Sequence, residues 1–470
     1  MQNIDLTNSA TTQIGWLRNG EITAVQLLQS YIDHYERTNP ALNAIVSTDI
    51  KGAMAQAKEI DERRAKGEDI GALQGLPMTI KDSIDVDGLP AVCGDPKMVN
   101  RPKQTEDAYV VRCVKDADGI IWGKTNAPYM AGDIQTYNDV YGVTNNPHDV
   151  SRTPGGSSGG AAAALSSHMT PLEIGSDIGG SLRTPAHYCG IYTLKPTWGT
   201  IPLKGHVPPP PGVNVPDADL AVVGPMGRTI TDIDMLFQLL APDVATPKSV
   251  KQVKELKVAI YEDEFFTIGK EVKAAIDTFA EKLKGQGAEV TVDRPDIDGK
   301  TLMDVYVKIL TPILTVDLPK KTRRMMKWMR PLSNLLAKKG EMSLHNTIKY
   351  AYHHQSSAQK AAARKERQEL KDKCDIFFQE YDLLIAPVTA VPAIPHNNKG
   401  QLYGRKIAVD GQNISYMNLF QWIALATTCH LPSLVIPFGT SKDDLPIGIQ
   451  IIAKEGEDRK LIEISKSLGL

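Results

Sequence analysis

Apolar and polar positions follow two different spacings in the first part of the chain. Between residues 12 and 36, apolar side chains recur mostly at every third or fourth position, which predicts helix. Residues 53–66 predict another helix, which ends at Gly67. Short apolar runs at 76–80 and 119–122 predict buried strands instead. Helices that alternate with short buried strands indicate the α/β class, in which helices cover a sheet.

The same alternation continues to the end of the chain. Apolar runs predict strands at 257–261, 288–292, 382–386, 434–437 and 447–452. Helical patterns occupy 271–284, 352–380 and 459–468. Since no linker divides the chain, we predict one domain over 1–470, with its core motifs at 70–230 and 380–470 and a peripheral, variable helical region near 300–370.

Two segments depart from this regular pattern. Residues 204–216 contain four consecutive prolines and predict a stiff loop. Residues 320–339 hold eight Lys and Arg side chains around methionines and a tryptophan. Such a segment could contact a membrane or an anionic polymer, and we favour the simpler interpretation of a solvated helix face.

Composition and charge exclude several classes of protein. The chain has 470 residues, of which 42 % are hydrophobic, so it can bury a large core. The 53 basic and 55 acidic residues balance, so no nucleic-acid partner is indicated. The five cysteines are widely spaced and form no CxxC pair, so neither a zinc ribbon nor a dithiol redox motif is supported, and their usage suits a reducing compartment without a disulfide framework. The first ten residues are polar and no long apolar run follows, so we predict a cytoplasmic protein; a signal removed earlier would leave no trace.

Glycines concentrate in one stretch, where seven of the 37 lie between residues 155 and 180. The first loop there reads PGGSSGG at 154–160, and glycines allow close backbone approaches that side chains forbid. A phosphate-binding loop would end in Lys-Ser or Lys-Thr, which is absent. The loop could be merely flexible, or it could hold serine hydroxyls in a catalytic arrangement.

A second loop favours the catalytic interpretation. It reads IGSDIGGSLR at 174–183 and places Ser181 directly after two glycines. The backbone N–H groups of Ile178, Gly179, Gly180 and Ser181 could converge there on one point, as an oxyanion hole requires. Ser181 does not lie in a GxSxG motif, so the nucleophile elbow of the α/β-hydrolases is not predicted.

A nucleophilic serine needs a base, and two kinds of side chain are candidates. Histidine is the usual base, but structural roles explain these four equally well: His148, His168, His187 and His206. The other candidate is Lys81, which ends the predicted strand at 76–80. A lysine at a strand end points into solvent by default, and a buried lysine is rare unless it is paired or functional.

Together these segments resemble the amidase signature family of serine hydrolases. The resemblance covers most of the chain and is weakest over 250–380. It rests on the runs NPALNA at 39–44, LPMTIKD at 76–82, GKTN at 123–126, TPGGSSGG at 153–160, GSDIGGSLR at 175–183, LKPT at 194–197 and LPIGIQ at 445–450. It implies an α/β/α sandwich with a central, twisted, mixed β-sheet that helices cover.

The resemblance also implies a Ser–cis-Ser–Lys triad. Ser181 matches the nucleophile, Lys81 the base, and Ser157 the bridging serine, with the peptide bond from Gly156 held in cis. The family's oxyanion hole falls on the same four residues that the second loop suggests. No metal or cofactor is implied.

Three further residues match supporting positions of the family. Asp177 and Arg183 match a pair that braces the second loop, and Ser158 is a candidate hydrogen-bond partner behind the triad. The implied chemistry needs a neutral lysine, which burial favours because it lowers the pKa from about 10.4. The bridging serine then relays a proton, the nucleophile forms an acyl-enzyme, and water cleaves it.

The substrate is less sharply defined than the reaction. The run KPTWG at 195–199, followed by GHVPPPPG at 205–212, is similar to broad-specificity bacterial amidases, a subgroup that includes aryl acylamidases and 6-aminohexanoate cyclic-dimer hydrolases, which act on nylon oligomers. We therefore predict hydrolysis of small, aryl or oligomeric amides, with carbamates (a urethanase activity) and esters chemically adjacent.

Two alternatives stay open. One is the glutaminase-type, glutamine-hydrolysing A component of an amidotransferase, although no aspartate stands near 416–421 where that subgroup has one. The other, from a different class, is a non-catalytic scaffold protein, against which the presence of the whole triad argues.

The resemblance places substrate contacts just before the first glycine loop. They fall on Met130, Gly132, Asp133, Ile134 and Tyr137, and ordinary packing explains each of these residues equally well. The predicted partners are a small-molecule amide and water as the acyl acceptor. No nucleic-acid partner is predicted, no strong membrane signal is present, and a homodimer is left open.

Overall fold

The computed structural model describes residues 4–101, 105–207, 219–316 and 318–469, so most of the predicted proline-rich loop lies outside the described residues. The helices are α1 Ala10–Arg18, α2 Ala24–Leu42, α3 Ile50–Ala65, α4 Tyr109–Asp116, α5 Gly159–Ser166, α6 Arg183–Cys189, α7 Ile230–Leu240, α8 Lys270–Gly285, α9 Gly299–Thr315, α10 Lys320–Leu336, α11 Leu344–Tyr350, α12 Ser357–Glu380, α13 Ala424–Thr428 and α14 Asp458–Ser467. The strands are β1 Ile45–Thr48, β2 Pro77–Lys81, β3 Ile120–Thr125, β4 Tyr137–Asn138, β5 Gly142–Val143, β6 Leu172–Asp177, β7 Tyr192–Lys195, β8 Val222–Gly227, β9 Lys257–Ile260, β10 Glu289–Val292, β11 Leu383–Pro387, β12 Lys406–Val409, β13 Gln412–Ser415, β14 Ser433–Thr440 and β15 Pro446–Ile452.

A large mixed sheet forms the centre of the molecule. Its eight strands follow the order β10-β9-β11-β15-β14-β7-β8-β6. Strand β9 pairs parallel with β10 and β11, and the other pairs of this sheet are antiparallel. A smaller sheet has the order β1-β3-β2, with β2 parallel to β3. The mixed central sheet that the family resemblance implied is confirmed.

Both faces of the large sheet are covered because its central strands are apolar at successive positions. In β11, Leu383 and Ile385 belong to one hydrophobic core, whereas Leu384 and Ala386 belong to another. Successive side chains of a strand point to opposite faces, so the two cores lie on opposite sides of the sheet. Helices α7, α8 and α14 contribute to the first core, and α6, α9, α12 and α13 to the second. The α/β class is confirmed.

The helical pattern over residues 12–36 divides into two helices. Gly20, at a φ of +71°, lies in the turn between them. Thr23 begins α2 with a capping box, in which its side chain accepts from the Gln26 N–H at 3.1 Å and its own N–H donates to Gln26 Oε1 at 2.9 Å. The apolar period continues across this turn, so periodicity alone does not reveal it.

Helices α9 to α12 occupy most of the region near 300–370. Helix α9 buries much of its length in the second core, and Tyr306 is fully buried there. A single core cluster includes both Ala10 and Leu468, which supports the proposal of one domain over 1–470. No helix among the described residues has the length and apolar content needed to cross a membrane.

Candidate active site

Lys81 points into the protein rather than into solvent. It is the last residue of β2 and is fully buried. Its Nζ donates to Ser157 Oγ at 2.7 Å and to Ser176 Oγ at 2.9 Å. Burial lowers the pKa of Lys81 to about 8, against the opposing charges of nearby groups that include Asp177 and Glu173. The buried lysine therefore contacts the predicted bridging serine and loses its proton more readily than a free lysine.

Hydrogen-bond partners distinguish Lys81 from the predicted histidine candidates and from Lys195, a second buried lysine. Burial also lowers the pKa of Lys195, to about 7, but its Nζ donates to the Pro196 carbonyl at 2.7 Å. The ring nitrogens of His187 each lie 3.0 Å from a backbone carbonyl oxygen, those of Gly448 and Val391. Within the described part of the chain, neither predicted catalytic serine has a hydrogen bond to a histidine. Lys81 is therefore the base candidate that the contacts favour.

The first glycine loop brings its backbone against two neighbouring segments. The peptide bond between Gly156 and Ser157 is cis. A Cβ at Gly156 would lie 2.7 Å from the carbonyl oxygen of Asp133, and a Cβ at Gly155, whose φ is +86°, would lie 2.9 Å from Pro185 Cα. Side chains at these two positions would push the loop away, so the glycines are required for its placement.

Ser158 joins the two serine loops. Its backbone N–H donates to the Ser181 carbonyl at 3.2 Å, and its Oγ donates to the Ser176 carbonyl at 3.3 Å. Among the described residues, no hydrogen bond connects the hydroxyls of Ser157 and Ser181. The two loops thus meet through a backbone hydrogen bond, which does not involve the Ser181 hydroxyl.

The turn before Ser181 is shaped by the carboxylate of Asp177, at the end of β6. Asp177 accepts from the Gly180 N–H at 2.8 Å and from the Leu182 N–H at 3.1 Å. This differs from the sequence prediction at one position, because the Gly180 N–H is directed to the carboxylate. This contact fixes the turn, and the N–H groups of Ile178, Gly179 and Ser181 remain candidates for the predicted oxyanion hole.

Asp177 forms a fully buried ion pair with Arg183. Two contacts of 3.1 Å join them, Nε to Oδ2 and Nη2 to Oδ1, and neither side chain is exposed. Burial raises the pKa of Asp177, but the charge and hydrogen bonds of Arg183 outweigh it, so that the pKa stays below its ordinary value. The bracing pair implied by the resemblance is therefore in contact.

Arg183 extends this brace to the C-terminal part of the chain. Its Nη1 donates to the Ile423 carbonyl at 3.0 Å and to Gln450 Oε1 at 3.3 Å, and its Nη2 donates to Thr427 Oγ1 at 2.6 Å. Gln450 is itself fixed, because its Nε2 donates to the Pro387 carbonyl at 2.6 Å. The run at 445–450 thus reaches the serine turn through one buried arginine.

We expect Arg183→Ala to destabilise the protein by about 3–5 kcal/mol, because it leaves the Asp177 carboxylate buried without its partner. Urea denaturation followed by circular dichroism measures this change. The matched control is Lys204→Ala, whose ion pair with Glu106 is solvent-exposed and should contribute less than about 1 kcal/mol. Equal stability of the two variants would contradict a bracing role for the buried pair.

Two of the predicted substrate contacts lie in one polar cluster with residues from far along the chain. Asp133 Oδ2 lies 2.6 Å from Arg405 Nη1 and accepts from the Tyr137 hydroxyl at 3.0 Å. Asp133 Oδ1 accepts from the Tyr416 hydroxyl at 2.6 Å. Arg405 Nη2 also donates to the Tyr137 hydroxyl at 2.7 Å. The cluster adjoins the serine loop through the backbone of Asp133. Within the cluster, the negative charge of Asp133 is paired with the positive charge of Arg405.

The other three predicted contacts are placed differently. Ile134 is buried in an apolar cluster that includes Tyr188 and Met417, so packing accounts for it. Met130 has a φ of 48° and donates its N–H to the Cys93 carbonyl at 2.8 Å. Gly132 is exposed. The polar cluster, rather than Ile134, is therefore the part of this segment that could meet a substrate.

Three residues near the site were not predicted from the sequence. Ser176 contacts the lysine, and its place in the GSD run of β6 is the one signal that could have suggested it. Glu173 is buried in the same strand, where burial raises the pKa of its carboxyl to about 8. Tyr306 of α9 places its hydroxyl 3.5 Å from the Ile178 carbonyl oxygen, in a contact that no spacing along the chain encodes.

The fold is that of an amide hydrolase, and its candidate site brings a buried lysine against two serine hydroxyls. The family model described as Amidase matches residues 26–462, so the chain belongs to the amidase family and is an amidase. Among its relatives is the second A-type component of glutamyl-tRNA(Gln) amidotransferase in Clostridium acetobutylicum, which is 28 % identical over 477 residues, or 94 % of each chain.

Solved structures extend the comparison. The structure of 6-aminohexanoate cyclic dimer hydrolase has a TM-score of 0.79 and 25 % identity, with 99 % of this chain and 97 % of that chain covered. A bacterial aryl acylamidase has a TM-score of 0.80 at 24 % identity, covering 98 % of this chain and 95 % of that one, which shows the shared fold.

Proposed function

We propose that this amidase cleaves a broad range of small, aryl or oligomeric carboxylic amides through an acyl-enzyme on Ser181. The observation that carries the proposal is the 2.7 Å contact between Lys81 Nζ and Ser157 Oγ in a fully buried setting. A base that is buried can be neutral near pH 8, and a bridging hydroxyl can carry its effect to a second serine.

The steps follow from these contacts. Neutral Lys81 takes the proton of Ser157 as Ser157 takes that of Ser181, whose oxygen attacks the substrate carbonyl carbon. The N–H groups of Ile178, Gly179 and Ser181 hold the negative oxygen that develops. The proton on Lys81 returns through Ser157 to the leaving amine as the C–N bond breaks. Water then attacks the acyl-enzyme by the same proton route and releases the acid.

Carbamates and esters follow the same route, because each presents a carbonyl with a leaving group to the nucleophile.

The proposal includes a preference for uncharged amides over glutamine, which the polar cluster beside the serine loop supports. Asp133 and Arg405 are paired with each other, so neither charge is free to bind the ammonium and carboxylate groups of glutamine. The similarity in fold to 6-aminohexanoate cyclic dimer hydrolase is a second support.

Glutamine hydrolysis within an amidotransferase is a second candidate function. The observation in its favour is the 28 % identity to the glutamyl-tRNA(Gln) amidotransferase component of Clostridium acetobutylicum over almost the whole chain. That function would make the chain depend on other proteins of a complex, whereas a homodimer is the assembly we propose for a free-standing amidase. The cytoplasm is the proposed location, in keeping with five cysteines that are all free.

A substrate panel separates the two candidates. We expect kcat/KM for a neutral anilide to exceed that for glutamine by roughly 100-fold, since Asp133 and Arg405 would have to give up their ion pair to bind the charged groups of glutamine. The order of preference is measured from initial rates on four substrates: an anilide, a linear amide, a carbamate and glutamine. The rate with Ser181→Ala protein is subtracted from each. If glutamine were the best of the four, the amidotransferase function would replace the broad-specificity proposal.

A further inference from the structure

Helix α10 presents large apolar side chains to solvent. Trp328 is 84 % exposed and Leu335 is 80 % exposed, with Met325 and Leu332 more than half exposed between and beside them. Their spacing of three, four and three residues places the four side chains on one helix face. We call this row of Met325, Trp328, Leu332 and Leu335 the apolar stripe.

The opposite face of α10 holds the helix to the protein. Met326 is buried there in a cluster with Ile348 and Ala351, and Ser333 is buried about two turns further on. Because the helix already has a face that packs, the stripe is not the side that the fold needs to bury. Apolar side chains in such a row on a solvent-facing surface indicate a binding surface.

Positive charges surround the N-terminal half of the stripe. Helix α10 contains six Lys and Arg residues and no acidic residue in its 17 positions. Those with exposed side chains are Lys320, Lys321, Arg324 and Lys327. The surface therefore combines an apolar row with cations, so its occupant must offer both apolar and anionic groups.

We propose that α10 binds the surface of an anionic lipid bilayer, with the helix lying in the plane of the membrane. The apolar stripe enters the boundary between headgroups and acyl chains, and the flanking Lys and Arg side chains contact the lipid phosphates. This differs from the sequence prediction of a merely solvated helix face, because a solvated face does not explain why Trp328 and Leu335 are the most exposed large apolar side chains among the described residues.

Two other occupants fit the surface less well. A second copy of the chain would place one cationic α10 against another, with like charges adjacent and no acidic residue on the helix to pair with them. A nucleic acid would satisfy the Lys and Arg side chains, but it offers no apolar partner for Leu332 and Leu335. An anionic bilayer supplies both kinds of contact.

The surface is connected to the active site by the preceding helix. Helix α9 contacts the serine turn through Tyr306 and runs to Thr315, shortly before α10 begins at Lys320. Nine residues of helix rise by about 14 Å. A bilayer on α10 would thus lie near the outer end of the helix whose inner part contacts the serine turn.

Co-sedimentation of the whole chain with vesicles tests the proposal. We expect binding to phosphatidylcholine vesicles that contain phosphatidylglycerol, roughly tenfold weaker binding to pure phosphatidylcholine, and weakening by added salt. Changing Trp328→Glu with Leu335→Glu should weaken binding at least tenfold, as should the triple change Lys321→Gln, Arg324→Gln and Lys327→Gln.

The matched control is Ile376→Glu, which changes an apolar side chain that is 66 % exposed on α12 and should leave vesicle binding unaltered. Hydrolysis of a water-soluble anilide should be equal in all of these proteins, which shows that each is folded. The proposal is overturned if the wild-type chain binds neither vesicle, or if the α10 variants bind as it does. Self-association or RNA binding that the α10 changes abolish, without vesicle binding, would overturn it in favour of those partners.

Discussion

Ser181→Ala is expected to lower amide hydrolysis by about 10⁴-fold or more and to leave the fold intact. Ser181 ends the turn whose N–H groups form the proposed oxyanion hole, and no other hydroxyl of the proposed triad lies at that turn. The Ser181 hydroxyl has no hydrogen-bond partner among the described residues, so its removal breaks no structural contact. This variant should therefore lose turnover while its melting temperature stays that of the wild type.

Steady-state rates on an anilide and a thermal melt of the same sample measure the two effects. The matched control is Ser30→Ala on α2, where the lost hydroxyl donates to the Gln26 carbonyl on the helix surface, far in sequence from the site. A fluorophosphonate probe should label Ser181 in the wild-type chain. Activity within tenfold of wild type in Ser181→Ala, or a wild-type chain that no probe labels, would be inconsistent with this nucleophile and would favour a scaffold role.

Lys81→Ala is expected to cost about 10³–10⁴-fold in kcat/KM, because it removes the group that accepts the proton. The pH dependence gives a sharper signature. Burial lowers the pKa of Lys81 to about 8, and only the neutral amine can act as the base. The wild-type kcat/KM should therefore rise about tenfold per pH unit below pH 8 and level off above it.

The variant should lose this rise, since the residual reaction no longer depends on the ionisation of residue 81. Lys195→Met is the control, because Lys195 is another buried lysine with a lowered pKa but contacts a backbone carbonyl instead of a serine. It should keep the inflection near pH 8. An inflection that moves with Lys195 and not with Lys81 would reassign the base.

Much of the fold could be predicted because its central strands are short apolar runs. Strands β2, β11 and β15 lie within one or two residues of the runs that predicted them. The candidate triad came from a different source, the resemblance to the amidase signature family, which rests in part on loops of glycine and serine that must come close to other backbone. The apolar runs and the glycine-serine loops are both patterns of neighbouring residues, so a single sequence is enough to detect them.

The contacts that were missed join distant parts of the chain. Arg405 reaches Asp133 across 272 residues, and neither position carries a pattern that points to the other. The turn between α1 and α2 is hidden because the apolar period continues across it. The role of Gly180 differs because Asp177, three residues earlier, accepts its N–H, which is a choice between two acceptors that sequence spacing does not decide.

The reach of Arg183 to Ile423 and Gln450 affects how the enzyme matures during synthesis. All three triad residues have left the ribosome once residue 181 has emerged, long before the partners at 423 and 450 are made. Until then the Arg183 guanidinium lacks three of the acceptors that hold it, those of Ile423, Thr427 and Gln450, and the serine turn is only partly supported. The nascent chain therefore contains every proposed reacting group before the support of the serine turn is complete. We expect it to hydrolyse amides only after β15, its last strand, has been made.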